Sequence, residues 1–181
     1  GQELSPLRIQ YKDFSHWQNQ LFTSKEMAEE REFWLDTFSD RVPVLNLPTD
    51  YPRGKDTDFS GDTYRFDIGA DIFRGLESLK GETGTTLYMI LLAAYNIFLA
   101  RYSGEDDIVV GTPVACREHP DLEQIIGMFV NTLPIRNQLQ MEGTFKDFLG
   151  EVKNNTIQAF QNQNYPFDML VKELDINRNQ R

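Results

Sequence analysis

Cysteine and histidine are the scarcest chemical equipment in this 181-residue sequence, with one cysteine, Cys116, and two histidines, His16 and His119. A single thiol excludes an internal disulfide and a cysteine-built metal cage, and it fits a reducing cytoplasm. No Gly-x-Ser-x-Gly elbow is present, and no His/Cys/carboxylate cluster has metal-ligand spacing. Basic charge is short as well: 18 Lys and Arg stand against 28 Asp and Glu, a net of −10. Without a gathered Lys/Arg patch this argues against a nucleic-acid or anionic-membrane surface, and the acidity reads as solubility. The longest apolar run, Leu87 to Ala100, is too short for a bilayer and contains Asn96. No secretory leader opens the chain, Gly1 is not a natural start, and Asn177 to Arg181 are polar without a closing element. Both ends read as cut from something longer.

What is present is ordinary for a globular protein: 40% hydrophobic and 25% charged residues. A chain of this length suits one domain and buries about 70% of its unfolded surface. There are no internal repeats and no low-complexity segments.

Phe14, Trp17 and Leu21 recur at helical spacing in a stretch that begins at Tyr11. Thr23 followed by Glu26 reads as a capping box for a second helix. That helix turns Met27, Trp34, Leu35 and Phe38 inward and leaves Glu29, Glu30, Arg31 and Glu32 in solvent. Leu47 to Gly54 carries two prolines and reads as an extended linker. Between Gly61 and Gly69, Tyr64, Phe66 and Ile68 alternate with Thr63, Arg65 and Asp67, the pattern of a half-buried strand. Ile72, Phe73, Leu76 and Leu79 predict a helix stopped by Gly81. Gly81 to Thr86 lacks the Gly-Lys-Ser/Thr ending of a phosphate loop, and reads as a turn plus N-cap. Leu87 to Ala100 is apolar nearly all round, as in a buried central helix. Glu105-Asp106-Asp107 then reads as a solvated turn rather than a metal site, since no second carboxylate cluster accompanies it. Ile108 to Val110 is a short strand, and Gly111 to Arg117 a loop that approaches another surface closely. Asp121 to Ile126 fits a short helix. Thr144 caps a long helix whose inward face is Phe145, Phe148, Val152, Thr156 and Phe160. Pro166 opens a last helix with Phe167, Leu170, Val171 and Leu174 on its apolar side. The order is that of an α/β layer arrangement with few strands for its helices.

Candidate chemistry is sparse. Cys116 has His119 three residues on, the spacing of a thiol with a nearby base, but a lone small cysteine is commonly structural. His16, beside Trp17, reads as a surface or packing histidine before a catalytic one. The most informative stretch is Ile125 to Arg136. If Phe129 to Arg136 is extended, Phe129, Asn131, Leu133 and Ile135 share one face. That puts an amide on an apolar stripe, and an unpartnered buried amide costs about 1–3 kcal/mol. Asn131 is therefore either satisfied by neighbouring backbone or aimed into a cavity.

A set of segments, in a fixed order, resembles the condensation domain of nonribosomal peptide synthetases. Tyr11-Lys12-Asp13-Phe14-Ser15-His16-Trp17 resembles the Tyr-x-Asp-(Phe/Tyr)-(Ala/Ser)-x-Trp motif. Leu47-Pro48-Thr49-Asp50-Tyr51-Pro52-Arg53 is similar to the proline-bearing linker after it. Arg101 to Gly104 through Ile108, with Gly111-Thr112-Pro113-Val114-Ala115, is similar to the central segment. Ile126-Gly127-Met128-Phe129-Val130-Asn131-Thr132-Leu133 and Arg136 match the Ile-Gly-x-Phe-Val-Asn-Thr motif. Gln163 and Tyr165-Pro166-Phe167-Asp168 resemble His-Gln-x-x-Pro-Phe-(Glu/Asp), with Asn162 where the family has histidine. The catalytic His-His-x-x-x-Asp-Gly, which precedes the Tyr11 motif in the family, has no counterpart here, and the Arg-Asn-Pro segment is due where the chain ends.

The resemblance implies a chloramphenicol-acetyltransferase-like, CoA-dependent acyltransferase fold, mainly the second lobe of a two-lobe domain truncated at both ends. Residues 11–46 would be a helical leading segment, 47–60 an extended linker and 61–181 the α/β second-lobe core of a partial condensation domain spanning 1–181. It implies amide formation between a donor acyl or peptidyl thioester and an acceptor amine. Both arrive on phosphopantetheine arms of upstream and downstream carrier domains, beside an adenylation domain and the remaining half of the domain. Asn131, Thr132, Phe129, Gly111, Thr112, Pro113 and Arg117 would line the substrate tunnel. Tyr11, Asp13, Trp17, Gly127, Arg136, Gln163, Pro166 and Phe167 would be structural members of the motifs. The resemblance implies no directly bound cofactor, metal, nucleic acid or membrane, a cytoplasmic location, and no catalytic residue in this chain, hence no activity alone. A carrier-docking module without chemistry is the alternative. Epimerisation and heterocyclisation relatives are disfavoured by Val130-Asn131-Thr132-Leu133 and Gly111-Thr112-Pro113. A lobe without its closing strands is expected to leave apolar surface open and to self-associate.

Overall fold

Caps and breakers set the element boundaries in the computed structural model, which describes residues 6–51, 61–140 and 142–175. Residues 52–60 of the linker and the 177–181 tail lie outside them. Helix α1 (Tyr11–Leu21) opens with the Gln10 N–H donating to the Asp13 carboxylate at 2.8 Å, the reciprocal half of a capping box. Helix α2 (Lys25–Thr37) is capped by Ser24, whose hydroxyl accepts from Met27 N–H at 3.2 Å. The expected cap, Thr23, instead donates backward to Gln20 O at 2.8 Å, which leaves the next hydroxyl to start the helix.

Helix α3 (Ala70–Thr83) runs through Gly81 and ends at Gly84, φ +60°. A glycine inside a helix lowers its stability without ending it. The stop is the left-handed residue, where a side chain would be strained. Lys153 Nζ then caps the freed Thr83 carbonyl at 3.1 Å. Helix α4 (Leu87–Ser103) is capped by Thr86, as the sequence predicts, and ends at Gly104, φ +75°. It buries only one side, so the expectation of a helix covered all round is not met. Residues 61–69 form no strand: Tyr64 and Phe66 are 89% and 74% exposed. Alternation alone supplies no ladder, and no strand among the described residues pairs with this segment.

Strands β1 (Asp107–Val114) and β2 (Asn131–Gln138) form a two-stranded sheet. Leu139 N–H reaches Asp106 O at 2.7 Å, while at the other end Gly111 faces Thr132, whose Cγ2 would lie 3.3 Å from an added Cβ. These contacts run the strands antiparallel. β1 starts at buried Asp107, not in a solvated turn, and continues through the expected 111–117 loop to Val114. Prolines 113 and 134 are tolerated because a two-stranded sheet leaves each strand an outward edge. The short helix expected at 121–126 is a single 3₁₀ turn, Pro120–Leu122. Helix α5 (Phe145–Gln161) carries the expected Thr144 cap, which accepts from Asp147 N–H at 3.2 Å while Asp147 accepts back. Its buried row is Phe148, Leu149, Val152, Thr156 and Ala159, with Phe145 and Phe160 turned outward. Helix α6 (Phe167–Glu173) follows Pro166, which is its N-cap and not its first residue.

The chain forms two compact units. The first gathers Gly1–Pro43, Val109–Arg136 and Ile157–Arg181; the second Val44–Ile108 and Asn137–Thr156. The first has its core in Phe14, Met27, Trp34, Phe38, Leu122, Ile125, Phe129, Leu133, Ile135 and Leu170. The second buries Ile90, Ala93, Leu99, Ile108, Phe148, Leu149 and Val152. No single helix among the described residues is long and apolar enough to cross a membrane.

One close approach in the first unit dictates a residue. A Cβ on Gly127 would overlap the ring of Tyr11, whose hydroxyl donates to the neighbouring Met128 O at 2.8 Å. Gly127→Ala is expected to cost about 1–3 kcal/mol in a denaturant titration, the usual range for overpacking. Combined with Tyr11→Ala, the loss should fall short of the sum of the two single losses, because the clash is then gone.

Candidate functional site

A cavity of about 520 Å³ opens in the first unit. Four pieces of the chain make it: α1, the loop from Cys116 to β2, the turn between α5 and α6, and α6 itself. Each is held by side chains that point at backbone groups.

The turn is the most heavily tied. Asn131 Nδ2 donates to Gln163 O and to Tyr165 O, both at 2.8 Å, and Asn131 Oδ1 accepts from Phe167 N–H at 3.0 Å. Every capacity of the amide except one lone pair is used, so the amide expected on the apolar stripe is satisfied by backbone, while the residue also borders the cavity. Glu30 adds two bonds from below, accepting from the N–H of Asn164 at 2.9 Å and of Tyr165 at 3.1 Å. Burial pushes the Glu30 carboxyl above its ordinary value, against the pull of these donors. Trp34 Nε1 donates to Asn162 O at 2.8 Å. Tyr165, 3% exposed, donates its hydroxyl to Glu173 at 2.6 Å, and Arg31 Nε holds the same carboxylate at 2.9 Å. Burial, then the bond to Glu173, raises the Tyr165 phenol to about 12.

The loop is fixed by Arg117, whose Nη1 donates to Leu122 O and, at 2.9 Å, to Ile125 O. Its guanidinium lies 4.0 Å above the Phe129 ring, which also meets Phe14 at 4.6 Å. Arg117 is thus turned onto the loop and lies outside the cavity lining. Cys116, at φ +46°, directs its thiol to Gln163 O at 3.6 Å, and burial raises its pKa, with Glu118 and Glu30 adding to the effect. His119 accepts from Asp121 N–H at 3.2 Å and caps the 3₁₀ turn. The thiol–imidazole pair that the sequence spacing allows is therefore not assembled. His16 lies on the exposed side of α1 beside Gln20, 3.1 Å away.

Around the cavity the structure gathers Trp17, Phe129, Asn131, Gln163 and Pro166 of the motif residues. Gly111, Thr112, Pro113 and Thr132 lie in the paired strands outside its lining. Tyr11 and Gly127 lock α1 to the loop. Asp13 caps α1, and Phe167 contributes its N–H. Arg136 is a fork on Asp40, at 2.7 and 2.9 Å, and also donates to Thr37 O at 2.6 Å, which holds the Asp40 carboxyl well below its usual range.

Sequence reasoning missed Glu30, Glu118, Met169 and Lys172 as contributors, and had Met128 and Asp168 only as members of their motifs. Glu30 had a readable signal: it lies three residues after Met27 and four before Trp34, on the buried row of α2 and not among solvated neighbours. Glu118 accepts from Gln163 Nε2 at 2.7 Å across the cavity. Chemically the arrangement is a wall of rings and thioethers with amides and carboxylates at its rim. It can hold and orient an apolar group, and it offers no paired nucleophile and base.

The condensation domain family model matches residues 1–181. Tyrocidine synthase 3 of Brevibacillus parabrevis is 52% identical over 178 residues, which are 98% of this chain and 3% of that protein. Gramicidin S synthase 2 of Brevibacillus brevis is 51% identical over 178 residues, 98% of this chain and 4% of that protein. The chain thus spans a small part of the curated relatives it matches. The crystal structure of the X-domain from teicoplanin biosynthesis superimposes with a TM-score of 0.88 at 24% identity, covering 96% of this chain and 40% of that one. The fold is the acyltransferase-like α/β fold that the motif set implies, in part.

Two measurements test the geometry. Asn131→Asp keeps the shape but replaces two donors with a carboxylate facing two carbonyls. It should cost about 2–4 kcal/mol, and more than Asn131→Leu, since a bare charge is worse than a missing bond. Tyr165 is favoured as the neutral phenol in the folded state. Its contribution is complete below pH 10 and is lost as pH rises through about 12. Denaturation midpoints of the native chain should therefore fall more steeply than those of Tyr165→Phe between these values.

Proposed function

We propose that this chain, which belongs to the condensation domain family, forms part of the substrate tunnel of a nonribosomal peptide synthetase domain that makes amide bonds. The observation that carries the reading is that the family's separated motifs meet as contacts: the Tyr11 segment locks onto Gly127-Met128, and Asn131 holds the Gln163–Phe167 turn. In that reaction an acceptor amine attacks the carbonyl of a donor thioester, each delivered on the phosphopantetheine arm of a carrier domain. Rate comes from holding the two in line, moving the amine proton and stabilising the tetrahedral oxyanion. This chain supplies walls: Phe129 and Asn131 at the cavity, and the 111–113 segment with Thr132 along the sheet. It supplies no adjacent histidine pair. The proton is handled by the remaining half of the domain, and the carrier and adenylation domains of the same synthetase are its partners. The lone thiol and the absence of a membrane-crossing single helix among the described residues support a cytoplasmic setting.

The chain by itself, mixed with donor- and acceptor-loaded carrier domains, should form no amide product detectable by mass spectrometry. The intact parent domain should form it under the same conditions. Turnover by the chain alone would sink the division of labour. Binding of loaded carriers to a parent domain that never turns over would favour the docking module instead.

A further inference from the structure

Helix α4 has the composition of a helix covered on every side and the setting of one covered on one. Arg101 is the single charged residue among its seventeen. Ile90, Ala93, Asn96 and Leu99 are buried, yet Tyr88, Leu91, Tyr95, Phe98 and Tyr102 are 38%, 43%, 49%, 52% and 60% exposed. These five recur at steps of three and four, so they form one stripe about 21 Å long at 1.5 Å per residue. The rings continue from one turn to the next, Tyr95 to Phe98 at 6.4 Å and Phe98 to Tyr102 at 4.6 Å. Single exposed hydrophobics are common on any surface; an uninterrupted, uncharged row is the mark of an interface.

We propose that the α4 stripe is the seat on which the remainder of the condensation domain packs in the parent polypeptide, through an apolar, uncharged surface. The inference rests on the family reading above. The chain covers 96% of its own length but 40% of the X-domain chain on which it superimposes, so three-fifths of that chain is polypeptide available to cover such a face. A partner on the same polypeptide docks at high effective concentration, so a modest stripe suffices. Tyr95 and Tyr102 fit this, presenting large apolar rings with a hydroxyl that can reach a rim partner. A second copy of the chain fits poorly. Two heptads are fewer than a stable coiled coil uses, and a stripe in which four of the five residues are rings does not make its aliphatic knobs. A bilayer fits poorly as well: α3 and α4 meet at 106°, and the net charge of −10 repels anionic lipid.

The test places Leu91→Glu with Phe98→Glu in the 181-residue chain and in the intact parent domain. In the chain the pair should leave the melting temperature unchanged and reduce light scattering, because both residues face solvent there. In the parent domain it should lower the melting temperature by several degrees. Amide hydrogen exchange on the unsubstituted proteins gives a second readout: residues 88–102 should be slowed at least tenfold in the parent relative to the chain. Unchanged melting of the substituted parent, equal exchange in the two proteins, unfolding of the substituted chain, or a parent domain whose dimer falls apart on substitution would each overturn the proposal. No readout is turnover, so an inactive parent would count against the functional reading and leave this one standing.

Discussion

One side-chain amide carries the architecture of the candidate site. Asn131 begins β2 and binds three backbone groups of the turn that joins α5 to α6. Two of those groups are carbonyls and one is an N–H. A primary amide on a one-carbon stem is the neutral side chain that donates twice and accepts at once within that reach. Asp lacks the donors, Ser and Thr have one, and Gln would overshoot by a methylene. The turn it holds has lost its helical hydrogen bonds on both sides, so its carbonyls and N–H groups need partners from elsewhere. Glu30 and Trp34 on α2 take others of them, and the Cys116 thiol shares the Gln163 carbonyl with Asn131. A corner that would otherwise be loose loop becomes a surface on which Gln163 and Pro166 keep fixed positions.

The strand that carries Asn131 is itself aimed by what precedes it. Tyr11 reaches across 117 positions to Met128 O, and its ring lies where a side chain on Gly127 would be. Arg117 gathers the carbonyls of Leu122 and Ile125 and stacks on Phe129. Its charge is satisfied by carbonyl dipoles and a ring face, which is how a cation is accommodated where a carboxylate partner is lacking. Downstream, Arg136 forks onto Asp40 just past α2. The motifs that look independent in the sequence are pairs of halves: a ring and the glycine it needs, an amide and the turn it holds. Loss of either half strands the other, which is a physical reason for such segments to travel together.

Helix positions, the Thr86 and Thr144 caps and the face shared by Phe129, Asn131, Leu133 and Ile135 were legible because each rests on a local period or a local bond. The rest turned on what composition does not carry: a pairing partner, a backbone sign, or the outcome of a competition between neighbouring groups. Tyr64, Phe66 and Ile68 alternate as a strand does, but a strand exists only with a neighbour to bond. Gly81 and Gly84 are both plausible helix stops by composition, and the backbone sign that distinguishes them is conformational. Thr23 and Ser24 compete for one cap, and the choice turns on which hydroxyl bonds backward. Arg117 was placed by the family resemblance alone, and its bonds to the carbonyls of Leu122 and Ile125 could not be read from the sequence. Cys116 has His119 at the spacing of a reactive pair but read as structural, and a left-handed residue at 116 sends its thiol to Gln163.

The electrostatics of this wall bear on what it can hold. Burial raises the pKa of Cys116 and of Glu30, and carboxylates close by, Glu118 among them, push in the same direction. A setting that disfavours a thiolate and a carboxylate disfavours any new negative charge for the same reasons of desolvation and like-charge repulsion. A tetrahedral oxyanion forming beside it would gain nothing from these groups. A neutral apolar acyl chain, or an amine that approaches with its proton, meets no such penalty. Beside Cys116 and Glu30 the wall is therefore suited to an apolar or protonated guest and unsuited to a new anion.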